Sequence, residues 1–305
     1  MSVAEPIAPV PAAEERAWSR VVGALRSNRL LLLGTAISIL IVVVGILAPW
    51  IVPHPEDAGS ATHPEITLQA PSWHHLFGTD PVGRDVFSRV VFGARVSPMI
   101  AFLVLAISVL MGVPLGVTAG YFAGIWDDVI MRVTDVFLAL PALLLALAFA
   151  AVLPPSLWST TLAITIAWWP WYTRLLRGQA ASVAGRPYVE SARALGVSNR
   201  RIVFRHVLPN SLTPLIVQAS LDVGGIILTA SALSFLGLGA QDPTPDWGLM
   251  VSDGQAYFQT QWWLVTFPGL AILLTAAGFN LLGDGLREIL DPHAVSTFMA
   301  RKEDR

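Results

Sequence analysis

Cysteine is absent from this chain of 305 residues, which excludes disulfides and thiolate metal ligation. Charge is almost as scarce. Asp, Glu, Lys and Arg together make up 13% of the residues, whereas an ordinary soluble domain carries about 25%. The formal net charge is −2, so no basic groove is available for phosphates and no nucleic-acid partner is expected. Lysine occurs once, at Lys302 in the tail, which leaves no glycine-rich loop ending in Lys-Ser/Thr to cradle a nucleotide. Neither His-Glu-x-x-His nor Gly-x-Ser-x-Gly occurs, so the usual signatures of a metalloprotease or a serine hydrolase are missing. What is abundant is apolar: 54% of residues are hydrophobic, and the few charges are clustered, so the gaps between them are long.

Those gaps fit a bilayer. A helix crosses about 30 Å of hydrocarbon in about 20 residues. The segment Leu30–Val52 is long enough, and so is Ser97–Tyr121 within the uncharged stretch Val96–Trp126. The uncharged stretch Val136–Thr173 is too long for one span, and Pro154-Pro155 divides it, because proline removes a helical donor and constrains the residue before it. The expected third and fourth spans are therefore Asp128–Leu153 and Leu157–Leu176. Leu212–Leu238 and Trp262–Leu282 are the fifth and sixth. Backbone groups in lipid must be satisfied internally, so an all-α bundle of six spans is expected.

Orientation follows from the basic residues. With a cytoplasmic amino terminus, sixteen arginines and lysines fall inside and only Arg84, Arg89 and Arg95 outside. Both termini are then cytoplasmic, with a polar tail over residues 1–29 and another over 293–305 around a membrane domain of residues 30–292. Residues 53–96 form a long external segment and residues 177–211 the one long internal loop. Trp50, Trp158, Trp247, Trp262 and Trp263 lie near the expected outer ends, where interfacial anchors belong.

The internal loop has its own punctuation. Pro187 and Gly196 bracket a run of eight residues, Tyr188 to Leu195, and proline at the start with glycine past the end marks a short helix. Ser198 is placed to cap a second short helix that stops at Pro209. A helix of about nine residues is not stable alone in water, so Tyr188, Val189, Ala192 and Leu195 need a surface to pack on.

Glu190-Ser191-Ala192, Gly196 and then Val207-Leu208-Pro209 resemble the EAA loop of binding-protein-dependent ABC importer permeases, with Ser191 where that motif usually has alanine. Other segments are similar to the dipeptide, oligopeptide and nickel permeases, and to their C-type subunit in particular. These are Gly78-Thr79-Asp80 with Gly83-Arg84-Asp85, the run Asp135 to Pro141, the run Leu233 to Gly239, Pro243 to Gly248, and Phe279 to Leu286. Ala230 departs from the acidic residue expected in many relatives. The resemblance implies a type I ABC importer permease fold in the bacterial inner membrane, forming half of a pathway for di- or oligopeptides. It implies a coupling helix that docks on an ATPase subunit, with Glu190, Ala192 and Gly196 as its functional residues and Tyr188 and Leu195 flanking them. It also implies as partners a homologous second permease, two ATPase subunits and an external substrate-binding protein. ATP and Mg would bind those ATPases, and this chain would have no cofactor and no catalytic residue of its own. The same type of complex also carries nickel or glutathione. An ion-coupled secondary transporter is the other class to weigh, but it should show several intramembrane charges or broken-helix repeats.

Asp222 is the one acid well inside an expected span. A lone carboxylate there is costly and normally faces a cavity or a partner, so it lines the pathway, where it would meet a substrate ammonium group, or bonds to a neighbouring helix, or sits at the cytoplasmic interface beyond the end of the span. Gly224-Gly225 beside it would permit close helix approach. His54, His63, His74 and His75 fall outside without metal-ligand spacing, which favours a solvated or binding-protein-facing role. Arg84 and Asp85 are expected to brace the external segment by ion pairs. Asp128/Arg132, Arg132/Asp135, Asp284/Arg287 and Arg287/Asp291 stand at helical three- or four-residue spacing and are expected to pair locally.

Overall fold

The computed structural model describes residues 28–290. The two tails, with Arg16, Arg20, Arg26, Lys302 and the Asp291 of the expected Arg287/Asp291 pair, lie outside the described residues. The fold is all-helical: among the described residues the only β-type pairing is one isolated bridge between Thr79 and Asp85. The elements are α1 (Arg29–Ile51), α2 (Val86–Phe122), α3 (Gly124–Leu138), α4 (Ala142–Val152), α5 (Leu157–Ala184), α6 (Pro187–Ala194), α7 (Asn199–Ile202), α8 (Leu208–Phe235), α9 (Trp247–Gly254) and α10 (Trp263–Leu290).

Four helix starts, those of α1, α2, α5 and α9, are set by side-chain caps, which satisfy first-turn N–H groups that have no partner within the helix. Asn28 accepts from Leu30 and Leu31, Asp85 from Ser88, Ser156 from Ser159 and Asp246 from Leu249. Helix α2 runs without a break for 37 residues despite Pro98 and Pro114, about 55 Å at the usual rise. It begins eleven residues before the expected Ser97, because Asp85 caps it within the segment taken as external.

Four described helices are long and apolar enough to cross a membrane: α1, α2, the run Asn199–Phe235 and α10. The bent pair α3 and α4 makes a fifth if it is one span. That pair corrects the expected continuous span Asp128–Leu153. The two helices meet at 84°, with Pro141 as the N-cap of α4. Proline cannot donate a helical hydrogen bond and restricts the residue before it, so Pro141 breaks the chain well before Pro154. Helix α5 is long enough but more polar, since it carries serines, threonines and four tryptophans. Its polarity is internal. Ser159, Thr160, Thr161, Thr165 and Thr173 are buried, and the hydroxyls of Thr161, Thr165 and Thr173 donate to the carbonyl four residues back at 2.8, 2.7 and 3.1 Å. The helix also runs eight residues beyond the expected Leu176, so the first part of the supposed internal loop is helix.

Glycines set how closely helices approach. On α2, a side chain at Gly112, Gly116 or Gly120 would come within 2.6, 2.5 or 2.3 Å of Tyr172 Cβ, the Thr173 carbonyl or the Arg177 carbonyl of α5. This four-residue spacing of glycine is the small-residue seam that lets membrane helices pack backbone to backbone. Gly224 of α8 does the same against Asn280 and Ala276 of α10, whereas Gly225 faces open space. One core cluster joins Ile100 and Val104 of α2, Leu145 of α4, Ile164 of α5, Ile226 and Leu233 of α8, and Phe279 of α10.

At the start of α2, residues 53–85 fold into a compact, polar-braced segment. Arg84 is buried and donates from Nε to Asp80 at 2.7 Å and from Nη1 to Asp242 at 2.7 Å. Arg89 donates to the carbonyls of Asp57 and Pro243. Arg84 braces the segment through ion pairs as expected, whereas Asp85 does so as the cap of α2 and the partner of His75. Two of the histidines lie against buried carboxylates, and of these His75 is itself buried. His63 Nε2 lies 2.9 Å from buried Asp57, and His75 Nδ1 lies 3.1 Å from buried Asp85. The two carboxylates are themselves linked, since the Asp85 N–H donates to Asp57 Oδ2 at 2.8 Å. Among the described residues no group of three or more potential ligands is placed to hold a metal ion. Trp247 and Trp263 are also buried rather than interfacial. Their indole N–H groups donate to the carbonyls of Val90 and Thr79, and both belong to a core cluster with Val86 and Leu264.

Candidate functional site: the 185–208 loop and the α8 carboxylate

The loop at the far end of α2 is built as the spacing suggests. Helix α6 starts with Pro187 in its first turn, where the missing N–H costs nothing. It ends in a Schellman turn: the Gly196 N–H donates to the Arg193 carbonyl at 3.0 Å and the Val197 N–H to the Ala192 carbonyl at 3.1 Å. Gly196 has φ +74°, the left-handed conformation that glycine adopts without a side-chain penalty. Ser198 precedes α7 but makes no side-chain cap bond. The second short helix does not stop at Pro209 either. It passes through a π-turn over Val203–Val207, with the Leu208 N–H donating to the Val203 carbonyl, and continues as α8. A π-turn is wider than an α-turn, so the ring of Pro209 enters the helix without meeting the carbonyl of the turn below.

The apolar residues of α6 divide between two surfaces. Val189 is fully buried, and Ala192 packs against the same cluster, which includes Tyr121 of α2, Tyr172, Leu176, Ala180 and Val183 of α5, and Ile202 of α7. Ala192 therefore helps anchor the helix from within. Tyr188 and Leu195 point the other way, 42% and 84% exposed, and Glu190 is exposed with them. The loop is thus anchored through one face and leaves an apolar-and-acidic face uncovered.

Charge pairing at this end differs from the local pairs expected along α3. Asp127 accepts both Nε and Nη2 of Arg177, with Nε at 3.0 Å, and Asp135 pairs with Arg174. Both bridges cross from α3 to α5. Among the described ion pairs, Asp128/Arg132, Arg132/Asp135 and Asp284/Arg287 do not occur. Packing of α3 along α5 brings the arginines to the carboxylates, and a pair fixed between two helices excludes the alternative along one of them.

Asp222 lies half-buried on α8. The Tyr172 hydroxyl of α5 donates to its Oδ2 at 2.6 Å, and Gln218 Nε2, one turn earlier on α8, donates to Oδ1 at 2.9 Å. The carboxylate thus has the neighbouring-helix partner that was one of the readings, and that partner, Tyr172, also belongs to the cluster under Val189 of α6. Sequence reasoning missed Tyr172 and Tyr121. Gln218, four residues before Asp222, was visible as a one-turn partner.

Similarity to known proteins follows the same outline. Residues 112–296 match the family described as binding-protein-dependent transport system inner membrane component. Residues 16–71 match the N-terminal TM domain of oligopeptide transport permease C. The probable D,D-dipeptide transport system permease protein of Escherichia coli (strain K12) is 46% identical over 276 residues, covering 90% of this chain and 92% of that protein. The dipeptide transport system permease protein of Alkalihalophilus pseudofirmus is 43% identical over 94% of this chain and 95% of its own length. Among solved structures, the inward-facing methionine ABC transporter MetNI is similar in fold, with a TM-score of 0.51 at 15% identity over 66% of this chain and 96% of that one. An amino acid ABC transporter has a TM-score of 0.50 over 65% of this chain and 92% of that one. From the extent of the family match, and from relatives above 40% identity along nearly the whole chain, the protein belongs to the binding-protein-dependent transport system inner membrane component family and is a multi-pass permease subunit of an ABC importer.

Proposed function

We propose that this permease forms one half of a translocation pathway for di- or oligopeptides in a bacterial inner membrane. The other half would be a homologous second permease. Two ATPase subunits would bind ATP and Mg and drive the cycle, and an external binding protein would deliver the cargo. Peptide cargo is supported by the names of the relatives, which are dipeptide and D,D-dipeptide permeases. Six spans with both termini cytoplasmic are supported by the distribution of basic residues and by a buried α5 long enough to be the span that hydropathy alone misses.

Helix α6 is the transmission in this reading. The observation that carries it is the two-faced packing: Val189 is locked into the protein's own core while Tyr188, Glu190 and Leu195 stand uncovered beside the Gly196 corner. Movement of an ATPase groove around that face would carry α6, α7 and the ends of α2 and α5 together. ATP then acts by favouring one of two arrangements, since a ligand shifts an equilibrium only through its differential affinity.

Gly196→Val tests it. No atom lies within 4 Å of a side chain added there, so the substitution acts through backbone strain alone, about 1–2 kcal/mol. That is too little to unfold the bundle and enough to re-aim α6. In the reconstituted complex, ATP hydrolysis is expected to continue while uptake per ATP collapses. Glu190→Ala should do the same more mildly. Full substrate-stimulated coupling in Gly196→Val would remove the loop from the transmission.

A further inference from the structure

Tyr121 sits in the last turn of α2, 7% exposed. Its hydroxyl donates to Asn199 Oδ1 of α7 at 2.8 Å. The guanidinium carbon of Arg193, on α6, stands 5.4 Å from the centre of its ring, within cation–π range. One side chain therefore grips both short helices on either side of the Gly196 corner. Its ring also belongs to the cluster that holds Val189 of α6 and Ile202 of α7. Beside it, Gly120 seats against the Arg177 carbonyl of α5, so the end of α2 cannot slip past α5 on its own.

The other end of the same helix is equally fixed. Asp85 caps it, and Ser97 Oγ donates to buried Asp246 of the α8–α9 connection at 2.9 Å. Trp247 bonds the Val90 carbonyl. Helix α2 is an uninterrupted rod between the 53–85 segment and the α6–α7 loop. The hydrophobic cluster alone would let the loop roll, because apolar packing is non-directional. The hydroxyl-to-Asn199 bond and the Arg193 stack are the directional links.

We propose that Tyr121 is a positioning residue that locks the α6–α7 loop to α2, so that α2 carries movement of the loop to the opposite end of the bundle. The inference rests on α6 being the coupling helix. Tyr121→Phe keeps the ring beside Arg193 and removes the bond to Asn199. Asn199→Ala removes the same bond from the other side. Arg193→Gln removes the cation and leaves the hydroxyl bond.

The experiment uses the complete reconstituted complex with its binding protein and peptide. It measures uptake per ATP hydrolysed and the stimulation of hydrolysis by loaded binding protein, with thermal stability of the complex alongside. In Tyr121→Phe the coupling ratio should fall roughly three- to tenfold, the factor a typical net hydrogen bond is worth. Asn199→Ala should match it, and the double variant should be no worse than either single one. Arg193→Gln should give a smaller loss. A merely structural role would lower stability and both rates together without changing their ratio, and that result overturns the proposal. So does a normal ratio in Tyr121→Phe. If Gly196→Val uncouples the complex while the Tyr121 and Asn199 variants remain coupled, the loop is still the transmission and only the role of Tyr121 falls. If Gly196→Val is itself coupled, the reading of α6 falls first.

Discussion

At the scale of single residues, the clearest case is Asp222. Sequence left several destinations for an intramembrane carboxylate, and the fold supplies a partner in the Tyr172 hydroxyl together with Gln218. A carboxylate with two donors still has acceptor capacity left, so a cargo ammonium group could be a third partner. We predict that Asp222→Ala lowers uptake at least roughly tenfold, since a hydrogen bond to a charged group is worth about 1.5–3 kcal/mol. Asp222→Asn keeps an acceptor for Tyr172 and should leave uptake equally low, with assembly intact in both variants. Normal uptake in Asp222→Ala would reduce the residue to an inter-helix tie. The fate of the histidines was not legible in the same way. Asp57 and Asp85 lie six residues from His63 and ten from His75, and such pairings depend on how an irregular segment folds, which no periodicity reports.

At the scale of elements, helix existence was legible and helix continuity was not. The apolar stretches identified α1, α2, α8 and α10 because a bilayer demands length and hydrophobicity. The same ruler overlooked what proline does in context. Pro98 and Pro114 sit inside α2, and Pro209 is absorbed by a π-turn, yet Pro141 turns the chain by 84°. Whether a proline breaks a helix depends on whether neighbouring helices and local turn adjustments satisfy the freed carbonyl, and that is a tertiary matter. The packing of α2 on α5 gives a direct test. Gly116→Leu would drive its Cβ within 2.5 Å of the Thr173 carbonyl. We predict a loss of about 1–3 kcal/mol or more, as overpacking of a fitted interface costs, seen as a lower melting temperature in detergent. Gly225→Ala, which meets nothing within 4 Å, should leave the melting temperature unchanged. Equal stability of the two variants would show that the glycine seam does not hold these helices together.

For the molecule as a whole, the basic residues place the α6–α7 loop inside, and the absence of cysteine makes that orientation directly measurable. Ser60 and Ser198 are both exposed, one in the segment before α2 and the other in the α6–α7 loop beyond its far end. Ser60→Cys should react with a membrane-impermeant thiol reagent added outside intact cells, and Ser198→Cys only after the membrane is opened. Reaction of both from the same side would overturn the orientation and, with it, the placement of the ATPases at α6.

Legible in the residues alone were a chain built for a bilayer, its long uncharged stretches, and a short helix bounded by Pro187 and Gly196 in the loop. Each of these depends on local chemistry: desolvation of charge in hydrocarbon, the missing N–H of proline, and the left-handed freedom of glycine. Which face of that short helix is spent inward, through Val189 and Ala192, and which stays exposed emerged only from tertiary packing. It alone brought Arg174 and Arg177 to Asp135 and Asp127 across two helices, and Tyr121 to Arg193 and Asn199 across more than 70 residues of chain. Such pairings are settled by how closely two helices can approach, and on α2 and α5 that distance is set by three glycines meeting a backbone they do not see in sequence.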